Sequence, residues 1–315
     1  MSKRARINEI TLHILLFVCC LLPFCCLAKK NPNASDWSQD NLFGKVKNVQ
    51  TIEYAAVFQN KETQKEEIIT RSVKHYNRAG YITEHTEFDA ENALIQKEIY
   101  LFDKKGNKVE ELLYDENNAL EQRTKIKYNA QKLPISIVFE DDKGRKIQRF
   151  TYRYDERDNL TQLTGYDDRG KMAEKSYYTY NQYGNLTKYM GFGQFDNRKI
   201  YYKYNSQHKI TEQLCTDIKD NFMEKIVYQY ENQGKKEKRI RVDKNDTVLS
   251  TIVCVYDDFA NLLEFTHFDK DGTIIERHEF VYQYDSNNNW IQQIFYSGTE
   301  KTLLTITERI IEYYE

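Results

Sequence analysis

Residues 150–192 read FTYRYDERDNLTQLTGYDDRGKMAEKSYYTYNQYGNLTKYMGF, and their spacing decides the fold class. Phe150, Tyr152 and Tyr154 alternate with polar residues, the period-two pattern of a strand with one buried face. DERDN follows the first strand and NQYGN a later one; Gly or Asn there supplies the positive φ that a tight hairpin needs. Between them, DDRGK marks a second kind of turn after Tyr166. The stretch therefore reads strand, turn, strand, turn.

The same reading extends outward in both directions. Stepping by about 26 residues from Tyr76 reaches Phe102, Tyr128, Tyr154 and Tyr180, and similar steps reach Tyr204, Tyr230, Tyr256, Tyr284 and Tyr313. Most of these anchors end an alternating strand, as in Ile200-Tyr202-Tyr204, Ile226-Tyr228-Tyr230, Ile252-Cys254-Tyr256 and Phe280-Tyr282-Tyr284. A large apolar residue follows at +6 (Ile82, Leu160, Leu186, Trp290) and an aromatic at +12 (Phe88, Tyr114, Tyr166, Phe192, Tyr296). Both are expected to face the core with the anchors. The composition agrees: 25 Tyr and 16 Phe against 3 Pro suit pleated, half-buried surfaces. The sequence predicts an all-β protein, a long antiparallel meander of ~26-residue two-strand repeats. Some 18–20 strands, about two per repeat, must twist and curl into a rolled or spiral sheet.

The first residues read differently. Lys3, Arg4 and Arg6 precede an apolar run from Ile14 to Leu27, and Ala28 ends it. That order is the pattern of a secretory signal peptide over 1–28. Two rival readings are an uncleaved anchor over Ile10–Leu27 and lipid attachment at Cys25 or Cys26. Residues 29–40 lack periodicity and are read as a flexible tether, followed by a single domain over 41–315. Only Cys215 and Cys254 lie beyond the leader, on strands too far apart for a disulfide. The net charge of −2, about −4 once the leader is removed, gives no long-range attraction for nucleic acid.

At Tyr154-Asp155-Glu156-Arg157-Asp158-Asn159-Leu160-Thr161 and Tyr180-Asn181-Gln182-Tyr183-Gly184-Asn185-Leu186-Thr187 the chain resembles the YD repeats of RHS-type proteins. The likeness runs from about Tyr76 to Tyr284. It implies extracellular or cell-envelope β modules in extended or spiralling sheets, for which carbohydrate binding has been proposed. The spacing here is longer than usual for that family, and a Pro-rich core motif and a C-terminal toxin domain are lacking, so the resemblance implies the architecture and not the toxin role.

No residue pattern points to catalysis. His75 and His85 flank one turn and His267 and His278 another, but register places His75 opposite Ile82 and His267 opposite Ile274, leaving no metal cluster. Asp269-Lys270-Asp271-Gly272 is too short for a calcium loop and has the composition of a tight turn. Gly-x-Ser-x-Gly and a phosphate loop are both missing. We therefore expect no cofactor and no enzyme activity. The tyrosine stripe reads mainly as core, with Tyr177, Tyr201 and Phe295 on the opposite face as the residues for surface contact. The expected function is a non-enzymatic exported module, periplasmic, secreted or on the outer surface. Its partner would be carbohydrate or an envelope protein, and its membrane contact would be limited to the leader or a lipid anchor. The alternative is an outer-membrane β-barrel. Against that alternative, Lys125, Lys127, Arg149, Arg153, Arg239 and Arg241 are expected on the outward face.

Overall fold

The computed structural model describes residues 35–59, 62–193 and 196–315. The expected leader over 1–28, and the tether as far as residue 34, lie outside the described residues. After one helical turn, α1 (Asp36–Gln39), the odd-numbered strands are β1 (Val46–Gln59), β3 (Ile82–Phe88), β5 (Lys108–Tyr114), β7 (Pro134–Asp141), β9 (Leu160–Tyr166), β11 (Leu186–Gly193), β13 (Ile210–Asp217), β15 (Lys236–Val242), β17 (Leu262–Asp269) and β19 (Trp290–Ser297). The even-numbered strands are β2 (Glu62–Tyr76), β4 (Leu94–Phe102), β6 (Leu120–Tyr128), β8 (Lys146–Tyr154), β10 (Met172–Tyr180), β12 (Arg198–Tyr204), β14 (Phe222–Glu231), β16 (Val248–Tyr256), β18 (Ile274–Tyr284) and β20 (Thr302–Tyr313).

Most of the hairpins form because an Asp or Asn opens the turn and its carboxylate or amide oxygen closes it; the β11–β12 and β19–β20 turns open on Gly193 and Ser297 instead. Asp155 Oδ1 accepts from the backbone N–H of Arg157 and of Asn159, each at 2.9 Å. The fourth turn position has positive φ, at 78° for Gly184 and 62° for Asp158. Gly and Asp tolerate that region better than other residues. Asp269 spends its carboxylate in the same way, on the N–H groups of Asp271 and Thr273.

Every strand pairs antiparallel with its neighbours in the chain, and β1 also pairs with β20 from Val46↔Tyr313 to Ala55↔Thr305. The meander is thus a closed 20-stranded barrel, not the open spiral that curling alone allows. Closure leaves no edge strand to protect. Following partner residues once around the ring returns to β1 displaced by about 22 residues, which tilts the strands by ~37° and gives a mean backbone radius near ~19 Å.

Register departs from simple counting because most hairpins carry a bulge beside the turn. His75 therefore faces Glu84 while Tyr76 faces Ile82, and His267 faces Glu276 while Phe268 faces Ile274. One extra residue inverts the parity of the strand beyond it. The +12 aromatics consequently leave the anchor face: Tyr114 lies opposite Lys97, Tyr166 opposite Arg149, and Phe192 is 37% exposed.

Candidate functional site: a tyrosine collar inside one mouth

The register assigns each side chain to one of two faces. Through Tyr282↔Gln293, Gln293↔Thr307, Glu53↔Thr307 and Glu53↔Thr70, the anchor face of β18 continues across β19, β20 and β1 to β2, where it holds Lys74 and Tyr76. The segment from Ser35 to Lys45 is docked against this face, which corrects the tether reading from residue 35 onward. Lys74 Nζ lies 2.9 Å from Asp40, and the Tyr76 hydroxyl donates to the same carboxylate. Asp36 accepts from Ile82 N–H at 2.7 Å, and Trp37 N–H donates to Gly80 O at 3.1 Å. A few residues on, Asn41 donates to Phe259 O, and Asn289 holds both the N–H and the carbonyl of Phe43 at 2.8 Å.

That short segment fixes which face is lumenal. Trp37 and Asn41 touch the β2–β3 and β16–β17 turns, which are separated along the wall by ~29 Å at about 4.8 Å per strand. Four residues reach at most ~14 Å. The intervening strands must curl around the segment, so it sits on their concave side. The face it touches, with the anchor tyrosines, lines the lumen.

The tyrosines form a collar just inside the mouth that also holds the two ends of the described chain. Their hydroxyls are tied to the backbone of the preceding strand: Tyr128 to Lys108 O at 2.7 Å, Tyr154 to Pro134 O at 2.7 Å, Tyr180 to Leu160 O at 2.9 Å and Tyr230 to Ile210 O at 2.9 Å. Tyr204 bonds Leu186 O and Tyr282 bonds Leu262 O in the same way. Tyr76, Tyr189, Tyr202 and Tyr228 are buried, but Tyr128, Tyr154, Tyr180, Tyr204, Tyr230 and Tyr256 remain half-buried. The expectation that the stripe is mainly sealed core is therefore corrected for these residues: a wall one sheet thick leaves their ring faces along the lumen. Burial pushes the hydroxyls of Tyr152, Tyr180 and Tyr282 up to about 12.

Deeper along the lumen the wall becomes polar. His85 lies 3.5 Å from both Glu87 and Glu98, and its hydrogen bond holds the Glu98 carboxyl below its usual range. His278 Nε2 is 2.7 Å from Glu276, with its ring stacked on Phe265. Burial raises the Glu53 carboxyl against the hydrogen bonds from Thr70 and Thr305. Arg309 lies over Trp290 at 3.4 Å, and burial lowers its guanidinium to about 10. Arg239 and Arg241 belong here too, opposite Tyr228 and Ile226, and are not on the outward face. They pair with Glu237 and Glu224. No cluster of three metal-ligating side chains occurs among the described residues. Cys215 and Cys254 are buried free thiols on β13 and β16.

The three aromatics expected at the surface separate. Tyr177 and Tyr201 lie on the outer face, Tyr177 against Phe192 and Lys175, Tyr201 against Lys188 and hydrogen-bonded to Asp220. Phe295 is 7% exposed and stacked on Phe280 on the lumenal face, since the bulge between Trp290 and Gln292 reverses the parity of β19. Trp37, Asp40, Asn41 and Arg309 were not singled out from sequence. The first three sit in a stretch with no period, and a lone Arg in an alternating strand reads as solvated.

No family model matches the chain, and no curated protein matches it significantly. Among solved structures it is similar to the Tc holotoxin pore of Photorhabdus luminescens, with a TM-score of 0.38 and 12% identity over 75% of this chain. It spans only 14% of that toxin chain. A porin-like protein from Bacteroides uniformis gives a TM-score of 0.37 and 10% identity, covering 85% of this chain and 96% of that one. A porin-like protein from Bacteroides vulgatus gives 0.28 and 11%, covering 85% and 98%. TM-scores this low do not define a shared fold.

Proposed function

We propose that this chain is an exported, non-enzymatic β-barrel protein of the cell envelope whose lumen is its working surface. The tyrosine collar carries the reading. Its hydroxyls are occupied by backbone carbonyls, so what it offers a ligand is a ring of fixed aromatic faces at the entrance to a polar interior. Kinship with YD-repeat proteins belongs to the same proposal, supported by the Tyr-Asp and Tyr-Asn turn openings at Tyr154 and Tyr180.

Closure supports an outer-membrane barrel better than an open sheet displaying carbohydrate or protein contacts. An even number of antiparallel strands suits that second reading. What it must accommodate is Lys125, Lys127, Arg149 and Arg153 on the outer face, where a lipid-facing band is apolar. Fractionation of cells expressing the whole chain tests both readings. Recovery from the membrane only with detergent supports the outer-membrane barrel, and release as a detergent-free monomer from the envelope supports a soluble barrel. Retention in the cytosol sinks the proposal.

A further inference from the structure

The ring protects strand edges only as far as its rim, and the first hairpin runs past it. β2 pairs with β3 from Tyr76↔Ile82 to Arg71↔Phe88, where β3 ends, yet β2 begins nine residues earlier at Glu62. At other hairpins of this rim, opposite the tyrosine collar, the overhang is short. β8 begins three residues before Arg149↔Tyr166, and β16 two before Ser250↔Asp269. β1 stays paired with β2 as far as Gln59↔Glu62, whereas its pairing with β20 stops at Ala55↔Thr305. A two-stranded tongue thus leaves the wall, and the β3 side of residues 62–70 is an unpaired edge of ~30 Å.

Backbone N–H and C=O groups alternate sides along a strand, so about four of these residues direct both toward the open side. A two-stranded ribbon is marginal by itself and gains from a third strand. Strand addition uses such an edge: backbone bonds supply affinity, and the flanking side chains choose the partner.

The side chains here choose by charge. Glu62, Glu66 and Glu67 are exposed and make no salt bridge among the described residues. Lys65 is occupied by Glu308 and by the Tyr54 ring, 4.8 Å from its Nζ. Residues 61–71, the adjoining β3–β4 turn with Asp89 and Glu91, and Glu308 together hold six carboxylates against three cations. One of those cations, Arg71, bonds Asn92 at 3.3 Å. The excess repels a second copy of the same edge and attracts a basic strand.

We propose that the open edge of β2 takes up an extended peptide segment with basic residues at alternate positions, as a third strand of the tongue. The inference does not depend on the lumen being the working surface.

The test is titration of the whole chain with three blocked nonapeptides. One is Lys-Thr-Lys-Val-Lys-Thr-Lys-Val-Lys, the second has Glu for every Lys, and the third has Pro for every Thr and Val. The Pro peptide keeps the charge but cannot supply the ladder. The first peptide binds, the other two bind at least about tenfold more weakly, and its binding slows amide exchange between Thr63 and Thr70. Glu66→Lys with Glu67→Lys weakens that binding about tenfold and flattens its salt dependence, with unchanged circular dichroism because both side chains are exposed. Absence of binding at millimolar concentration overturns the proposal. So does equal binding of the Pro or Glu peptide, unchanged exchange between Thr63 and Thr70, or unaltered affinity in the double variant. Dimerisation of the chain that protects the same amides assigns the edge to a second copy and also overturns it.

Discussion

On one side of the barrel β1 pairs along most of its length with both β2 and β20; on the other, β11 meets β12 only at Lys188↔Tyr201, Tyr189↔Ile200 and Met190↔Lys199. The first junction is built from strands of 14, 15 and 12 residues, the second from strands of 8 and 7. Side chains compensate at the short seam. Leu186, Tyr189, Ile200, Tyr202 and Cys215 form a buried cluster there, and the Asn197 amide bonds Gly193 O where ladder bonds would otherwise run. Long terminal strands thus close the ring by backbone pairing, while the seam depends on packing.

Alkali is expected to produce the largest effect. The collar tyrosines have folded-state values raised by burial above the ordinary 10.0, to about 12 for Tyr152, Tyr180 and Tyr282. A raised value means the folded state holds the proton more tightly. Their contribution to stability is therefore intact below pH 10 and is lost as pH rises through about 12. Hydrogen exchange followed across that window should show the β11–β12 amides opening before those of β1 and β20.

Ile200→Ala comes next. Ile200 is 2% exposed in the seam cluster, and its truncation should cost about 3 kcal/mol in urea unfolding. Ile306→Ala, 3% exposed near the closing junction, should lose a similar amount but leave amide protection of β1 and β20 in place. Equal loss of protection at both sites would break the distinction between packing and pairing. A smaller cost, about 2 kcal/mol, is expected for Gly191→Val despite the better strand propensity of Val. A Cβ at Gly191 would lie 2.6 Å from the Tyr189 hydroxyl and 2.8 Å from Asp196. Smallest of all is Ala260→Gly. Ala260 has a φ of 63°, so relief of that strain should raise the unfolding midpoint by the equivalent of about 1 kcal/mol without touching either junction.

The strands and hairpins were legible because Tyr-ended alternation and Asp/Asn-opened turns are local signals. Closure was not, since nothing local states that Val49 will lie opposite Ile311. Nor was the face of every residue: a bulge beside the turn reverses parity, as Phe295 shows, whereas the β14–β15 hairpin runs in unbroken register and so puts Arg241 opposite Ile226 on the anchor face. The collar's residues were visible as the anchor series; their half-open state depends on a lumen that only the ring creates. The docked segment around Trp37 was invisible, since its contacts come from turns far away in the chain.

Closure is tested most directly by joining the first strand to the last. Gln50 and Ile310 are paired residues of β1 and β20. Antiparallel partners have Cα separations of about 4.5–5.5 Å, within disulfide reach. A Gln50→Cys, Ile310→Cys chain with Cys215 and Cys254 replaced by Ser should oxidise to an intrachain disulfide in folded monomer, and a Gln50→Cys, Leu101→Cys control should not. Failure of the first pair to close in folded monomer, or closure only between molecules, would contradict the barrel.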